Sequence, residues 1–291
     1  MTSPDEPRTA SLYHDSPGSP AAQPSAVEPA LAAAIVMAAM ATYLAVAVLV
    51  PRSVVLLAAQ AALAAVPVAA LIVAARARRA RGVARDVLAG LGIRGASPRF
   101  FVAAIAIGAT AWYLNMCLVA ELPITERQTR MLAELVERPP LIGALAMFAV
   151  LPAICEELLF RGVLARSLGR ALPTAAAAAI SAVVFSAYHL SIAQALPTLT
   201  LGFVLALIAI RAGSVAPAIA AHAINNGMAI AMSRGELPEL ASWLGHHPIL
   251  ALAGCASATA LGIAIAARGP GGTLRERRPT AGRAPTSPYV R

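Results

Sequence analysis

The sequence contains no lysine; all 23 of its basic residues are arginine. A phosphate-binding P-loop, which requires a lysine after its glycines, is therefore excluded. Charged residues make up only 13% of the chain, against about a quarter in soluble globular domains, and this shortage excludes that class of protein. The three cysteines, Cys117, Cys155 and Cys255, lie far apart without paired spacing, so no disulfide framework is expected.

Apolar sequence, by contrast, is abundant: hydrophobic residues account for 59% of the chain and the mean hydropathy is +0.73. Runs close to the roughly 20 residues that cross a bilayer recur along most of its length, and a spanning backbone must satisfy its own hydrogen bonds, which favours helices. We therefore predict an all-α, polytopic membrane protein with about eight transmembrane helices, at 30–50, 53–75, 100–120, 141–165, 172–190, 196–211, 214–232 and 248–267.

Two polar tails flank this transmembrane domain, which we place at 29–267. Residues 1–28 are rich in Pro, Ser and Ala and carry acidic residues where a secretory signal would carry basic ones, so we expect a disordered tail and not a signal peptide. Residues 268–291 are predicted to form a second disordered tail, which is basic.

The arginines cluster between the second and third predicted spans, at Arg76, Arg78, Arg79, Arg81, Arg85, Arg94 and Arg99. Such a cluster is typical either of nucleic-acid binding or, beside a transmembrane helix, of a cytoplasmic loop, and the membrane context favours the loop. An even number of spans then places both termini in the cytoplasm. We expect a multi-pass protein of the cell membrane, in contact with the lipid bilayer and without a nucleic-acid partner.

Ionisable and amide residues within the predicted spans are concentrated in three motifs. Span four contains "EELLFR" with Glu156 and Glu157, span five ends in "FSAYH" with His189, and span seven contains "HAINN" with His222 and Asn226. Ionisable groups inside a membrane are costly, and they usually pair with one another or line a functional cavity. The motifs therefore predict a site between spans four, five and seven.

Helical spacing separates the two adjacent carboxylates of span four. Glu157 and Arg161 are related as i and i+4, in the order that favours an ion pair, so we assign both to structural support. Glu156 projects about 100° away and is left free to face the other spans. The alternative is that this stretch is a helix end with ordinary surface charges.

Helix lengths indicate which of these groups can meet. Glu156 lies about 21 Å before the turn that joins spans four and five, and His189 lies about as far beyond it, so both have similar depths. His222 lies only roughly 12 Å into its span. The difference disappears if the hairpin that carries Arg166 and Arg170 extends into the cytosol.

The three motifs together resemble the EExxxR, FxxxH and HxxxN motifs of the CAAX-processing and bacteriocin-processing intramembrane proteases, the CPBP family, and the resemblance covers about 141–232. It implies an intramembrane endopeptidase of the metallo or glutamate type. In that family's terms, Glu156 activates the attacking water, His189 and His222 orient the water or hold a metal, and Asn226 stabilises the oxyanion. Peptide hydrolysis requires such a base and such donors.

The involvement of a metal is open at this stage. Glu156, His189 and His222 could form a three-ligand zinc site with one open position, although the HExxH helix that commonly supplies zinc ligands is absent. The same three groups could hold the water without a metal. The resemblance therefore implies either a zinc-dependent peptidase or a glutamate peptidase.

The expected substrate is a membrane-associated peptide or protein. The family name implies prenylated CAAX proteins, but the lysine-free, Ala- and Arg-rich chain is typical of a bacterium, where that pathway is generally absent. Two alternatives to an enzyme remain: a non-catalytic membrane scaffold or bacteriocin self-immunity protein that uses the motifs as a pocket, and a proton-coupled transporter. The transporter is disfavoured because no internal repeat is evident.

Overall fold

The computed structural model describes residues 27–51, 54–122, 134 and 136–268. In this part of the chain, regular structure is helical throughout, and we number ten helices: α1 Pro29–Leu49, α2 Val55–Ala77, α3 Val83–Gly90, α4 Pro98–Ala120, α5 Leu141–Ala171, α6 Thr174–Tyr188, α7 Ile192–Ala212, α8 Ala216–Ser233, α9 Pro238–His246 and α10 Pro248–Ala267. The two predicted tails lie almost entirely outside the described residues.

The predicted all-α, polytopic membrane architecture is confirmed, but the count of eight spans is not. Each predicted span coincides with a helix, and six of these, α1, α2, α4, α5, α7 and α10, are long and apolar enough to cross a membrane. Helix α6 is apolar but has only 15 residues, and α8 has 18 residues but carries the polar "HAINN" motif. Helix α6 therefore differs from the six candidate spans in its short length, and α8 differs from them in its polar motif residues.

Proline and glycine mark many of the helix ends. A proline stands in the first turn of α1, α4, α8, α9 and α10, where its missing N–H would have had no partner within the helix. Gly213 ends α7 with a left-handed backbone, at φ 66°, which glycine adopts without steric cost. These local signals mark where helices begin and end.

Helix α5 is the centre of the bundle, since it contacts α1, α2, α6, α7 and α8. It is not a uniform α-helix: two stretches, Ala146–Val150 and Glu157–Ala165, are π-helical. Such wide turns are rare and occur frequently at functional sites. The second stretch contains Glu157 and Arg161, and Glu156 immediately precedes it.

The segment between α3 and α4 holds α5 and α8 together at one end of the bundle. The Val215 N–H donates to the Gly92 carbonyl at 3.0 Å, and Arg166 Nη1 donates to the Ala89 carbonyl at 3.2 Å. Gly162 faces the Leu91 carbonyl so closely that a Cβ atom would collide with it. Of the two arginines on the predicted hairpin, Arg166 is buried against this segment and Arg170 is exposed; whether the hairpin extends into the cytosol stays a prediction.

Candidate active site

Glu157 and Arg161 form the ion pair predicted from their spacing. Glu157 Oε1 lies 2.8 Å from Arg161 Nη1, and both side chains are completely buried. Arg161 Nη2 also donates to the Gly202 carbonyl at 3.3 Å, and the guanidinium lies over the Phe185 ring, 4.0 Å from its centroid. A buried charge is tolerated only with such compensation, so this pair depends on the packing of α5, α6 and α7.

Glu157 has a second partner that the sequence did not reveal. His222 Nδ1, on α8, lies 2.9 Å from Glu157 Oε1. Because a carboxylate only accepts hydrogen bonds, Nδ1 is the donor, and in a neutral ring Nε2 would then be an acceptor. Glu157 therefore orients His222 as well as pairing with Arg161.

Glu156 faces the opposite nitrogen of the same imidazole. Its Oε2 lies 4.0 Å from His222 Nε2, too far for a direct hydrogen bond, and the side chain is buried. Its Oε1 accepts a 3.3 Å hydrogen bond from Gln60 Nε2, on α2. Sequence reasoning missed Gln60, although it is the one polar side chain of α2 before Arg76 and a polar residue within a span is itself a signal.

His189 terminates α6 and is fixed by its own helix. Its Nδ1 lies 2.9 Å from the carbonyl oxygen of Phe185, four residues earlier. Since a carbonyl only accepts, Nδ1 is the donor, and Nε2 of a neutral ring is free to accept a proton or a ligand. The FxxxH spacing thus sets the imidazole tautomer.

The Phe185 ring joins the three motifs. The Arg161 guanidinium covers it, and its centroid lies 4.8 Å from that of His189 and 6.1 Å from that of His222, both in edge contacts. Glu156, Glu157 and His222 meet directly, whereas His189 joins them through this ring. The predicted site between spans four, five and seven is therefore assembled from α5, α6 and α8.

Asn226 lies one turn after His222 and contacts α5 at its first π-helical stretch. Its Nδ2 donates to the Phe148 carbonyl at 3.3 Å, and its Oδ1 accepts from Asn225 Nδ2 at 3.2 Å. Pro152, four residues after Phe148, has no N–H with which to bond that carbonyl. Asn226 therefore bonds a carbonyl that Pro152 cannot reach, and its amide retains a second proton for another acceptor.

The arrangement does not supply a ready metal-ligand set. Within the described ranges, no three His, Cys, Asp or Glu side chains are grouped so that they could hold a metal ion. His189 and His222 each use Nδ1 in a hydrogen bond to the protein, which leaves only their Nε2 atoms as candidate ligands. The geometry thus brings a carboxylate and an imidazole together without closing a three-ligand site.

Comparison with known families matches residues 138–228 to the Rce1-like model, described as type II CAAX prenyl endopeptidase Rce1-like. The match covers less than half of the chain, but it contains all six motif residues singled out in the sequence, from Glu156 to Asn226. No curated protein and no solved structure matches the chain. The resemblance to the CPBP proteases is thus confirmed, and residues 138–228 of this multi-pass membrane protein are similar to the Rce1-like endopeptidases.

Proposed function

We propose that the protein is an intramembrane endopeptidase that hydrolyses a peptide bond of a membrane-associated protein or peptide, with Glu156 as the general base. The observation that carries this proposal is the position of Glu156: a buried carboxylate whose Oε2 faces His222 Nε2 across 4.0 Å. A water molecule that donates to Glu156 Oε2 would lie next to this nitrogen. A water held there is beside a base and is shielded from bulk solvent.

The reaction consumes one water molecule. Glu156 Oε2 removes a proton while the water oxygen attacks the peptide carbonyl carbon, which gives a tetrahedral intermediate with a negative oxygen. The proton then passes to the leaving nitrogen, the C–N bond breaks, and a carboxylic acid and an amine are released. Glu156 is returned to its starting state.

The neighbouring residues support each step through the contacts described above. Glu157 holds the His222 tautomer whose Nε2 can take the proton from Glu156 and relay it to the leaving nitrogen, and Arg161 balances the charge of Glu157. Asn226 offers its second amide proton to the developing oxyanion, and His189 presents Nε2 as an acceptor for the substrate. Removal of one oxyanion donor commonly lowers turnover by about 10²- to 10³-fold.

A zinc ion held by Glu156, His189 and His222 remains a prediction. It would require the three side chains to converge more closely than they do here, and the hydrolytic step above does not depend on it. Dialysis against a chelator separates the two possibilities. Lost activity that zinc restores would support a metal site, whereas unchanged activity would support the glutamate mechanism.

Because the site lies within the membrane domain, we propose a membrane-associated substrate. The decisive experiment compares the membrane proteomes of cells that carry the wild-type chain with those of cells that carry Glu156→Gln. The substitution preserves shape and removes the base, so we expect substrates to accumulate uncleaved at equal levels of folded protein. Glu239→Gln, on the exposed surface of α9, is the matched control and should leave the proteome unchanged. Identical proteomes for the wild type and Glu156→Gln would favour a scaffold or a transporter.

A further inference from the structure

Gln60 is a buried amide in the apolar helix α2, outside the Rce1-like domain at 138–228. Only 4% of the residue is exposed, and its neighbours along the helix are alanine and leucine. A polar side chain in such a position is unfavourable unless it has partners or a function.

The two ends of the Gln60 amide differ. Nε2 donates to Glu156 Oε1 at 3.3 Å, whereas Oε1 is buried without a hydrogen-bond partner among the described residues. Buried acceptors in native proteins are usually satisfied, by the protein or by ordered water. An unpartnered amide oxygen beside the base therefore indicates a ligand that carries a proton.

We propose that Gln60 is a positioning residue for the hydrolysis: its nitrogen fixes Glu156, and its oxygen accepts a hydrogen bond from the attacking water. This inference rests on the proposed function of Glu156. Because Gln60 Nε2 bonds Oε1, the other oxygen, Oε2, is the one that faces His222 and receives the proton.

The same amide can orient the water itself. Its oxygen and nitrogen share one carbon atom, so a water bonded to Gln60 Oε1 lies next to the Glu156 carboxylate. If one water proton points to Glu156 and the other to Gln60, a lone pair of the water oxygen is left to attack the substrate carbonyl. The base, the water and its second anchor would thus come from α5 and α2 together.

The test compares Gln60→Met with the wild type. Methionine has a similar unbranched shape but can neither donate to Glu156 nor accept from the water. With a farnesylated peptide that ends in a CAAX sequence as the probe, we expect kcat to fall about 10- to 100-fold, as for other residues that orient a reacting group, with KM within twofold of the wild type. Leu63→Ala, one turn further along α2 in the same apolar core, is the control: it should lower the melting temperature and leave kcat of the folded protein unchanged.

An infrared measurement tests the contact without any substrate. The carboxylate band that disappears in Glu156→Gln should shift in Gln60→Met and stay in place in Leu63→Ala. An unshifted band, or a Gln60→Met variant with wild-type kcat, would overturn the proposal for Gln60. Failure of the proposed function has a different signature, because Glu156→Gln would then cleave the peptide as fast as the wild type.

Discussion

Glu156 and Glu157 are neighbours in the chain, but the fold gives them different surroundings. Glu157 forms an ion pair with Arg161 and accepts from His222, whereas Glu156 accepts from the neutral amide of Gln60 and has its second oxygen directed toward His222 Nε2. Two carboxylates with such different partners can take different roles in one reaction. Glu156 is therefore the candidate base, whereas Glu157 orients His222 and neutralises the charge of Arg161.

The exchange of Glu157 and Arg161 separates folding from turnover. Arg161→Ala leaves Glu157 buried without its cation, so we expect about 3–5 kcal/mol of lost stability. The double exchange Glu157→Arg with Arg161→Glu should recover part of the folded yield. It should not recover turnover, because arginine at position 157 cannot accept from His222 Nδ1.

The matched control is an exposed pair with the same spacing. Arg138 and Glu134 lie 3.6 Å apart with 77% and 62% of their side chains exposed. Arg138→Ala should cost at most about 1 kcal/mol, since solvent screens such pairs. Thermal unfolding in detergent measures both costs; equal costs for the buried and exposed pairs would contradict the assignment.

His189 and His222 should behave as one catalytic unit because both contact the Phe185 ring. Each change to alanine should lower kcat by about 10²- to 10⁴-fold, which is the usual contribution of a positioned acid or base. The double variant should cost far less than the product of the single effects. Steady-state kinetics of the three variants checks this, and simple multiplication of the effects would indicate independent sites.

The sequence could reveal only those contacts whose two residues lie close together along the chain. The Glu157–Arg161 pair was predictable because one helix carries both residues at a fixed spacing. The bonds from His222 to Glu157 and from Gln60 to Glu156 were not, because 65 and 96 residues separate the partners and only tertiary packing sets their distances. Sequence motifs thus found the candidate reacting groups but not their orientation.

The irregular course of α5 makes the helix depend on its neighbours. Pro152 has no N–H to donate to the Phe148 carbonyl, and Asn226 donates to that carbonyl from α8. The hydrophobic pattern predicted a span at 141–165, and the helix continues to Ala171. Its π-helical stretches were not predictable, because the hydrophobic pattern does not distinguish an i+5 from an i+4 backbone bond.

A double-mutant cycle tests this role of Asn226. Asn226→Ala should lower both stability and turnover, by about 1–3 kcal/mol for the unpaired carbonyl and by about 10²-fold or more in kcat for the lost oxyanion donor. Pro152→Ala restores an N–H near the Phe148 carbonyl. In the Pro152→Ala background, Asn226→Ala should lower the stability by less than it does in the wild type. It should lower kcat by the same factor in both backgrounds.

The unfolding midpoints and kcat values of the four proteins in that cycle test whether Asn226 has both of these roles. An unchanged stability cost in the Pro152→Ala background would show that Asn226 does not replace the backbone donor. Unchanged turnover in Asn226→Ala would instead remove the residue from the proposed mechanism.

The contact between Gly162 and Leu91 gives a prediction for the α3–α4 segment. Gly162→Ala places a Cβ against the Leu91 carbonyl, so we expect about 1–3 kcal/mol of destabilisation from overpacking. Gly95→Ala, in the same segment but with open space around its Cα, should have little effect. Comparison of the two melting temperatures in detergent measures the difference, and equal values would show that α5 does not depend on this contact.

For the molecule as a whole, the arginine distribution predicts an orientation. We propose that the α2–α4 connection faces the cytoplasm and that α9 lies on the outer face. In a variant whose three native cysteines are replaced, Arg85→Cys should resist an impermeant thiol reagent in intact cells, and Glu239→Cys should react. Both side chains are exposed in the fold, so the membrane alone decides access.

Labelling at position 85 from outside would invert this orientation. Permeabilised cells provide the control, since both cysteines should then react equally. The hydrophobic runs fixed which segments are helical, but the direction of insertion depends on loop charge, which hydropathy does not measure.

The order of the partners along the chain has a consequence for synthesis. The ribosome delivers α2 first, then α5 and finally α8, so Gln60 is already in the bilayer when Glu156 arrives, and His222 follows only later. The Glu157–Arg161 pair can close within α5 itself, and its contacts with Phe185 and Gly202 follow as α6 and α7 are made. A nascent chain therefore gains the His222 contacts of both glutamates last, and we expect activity only when its insertion is nearly complete.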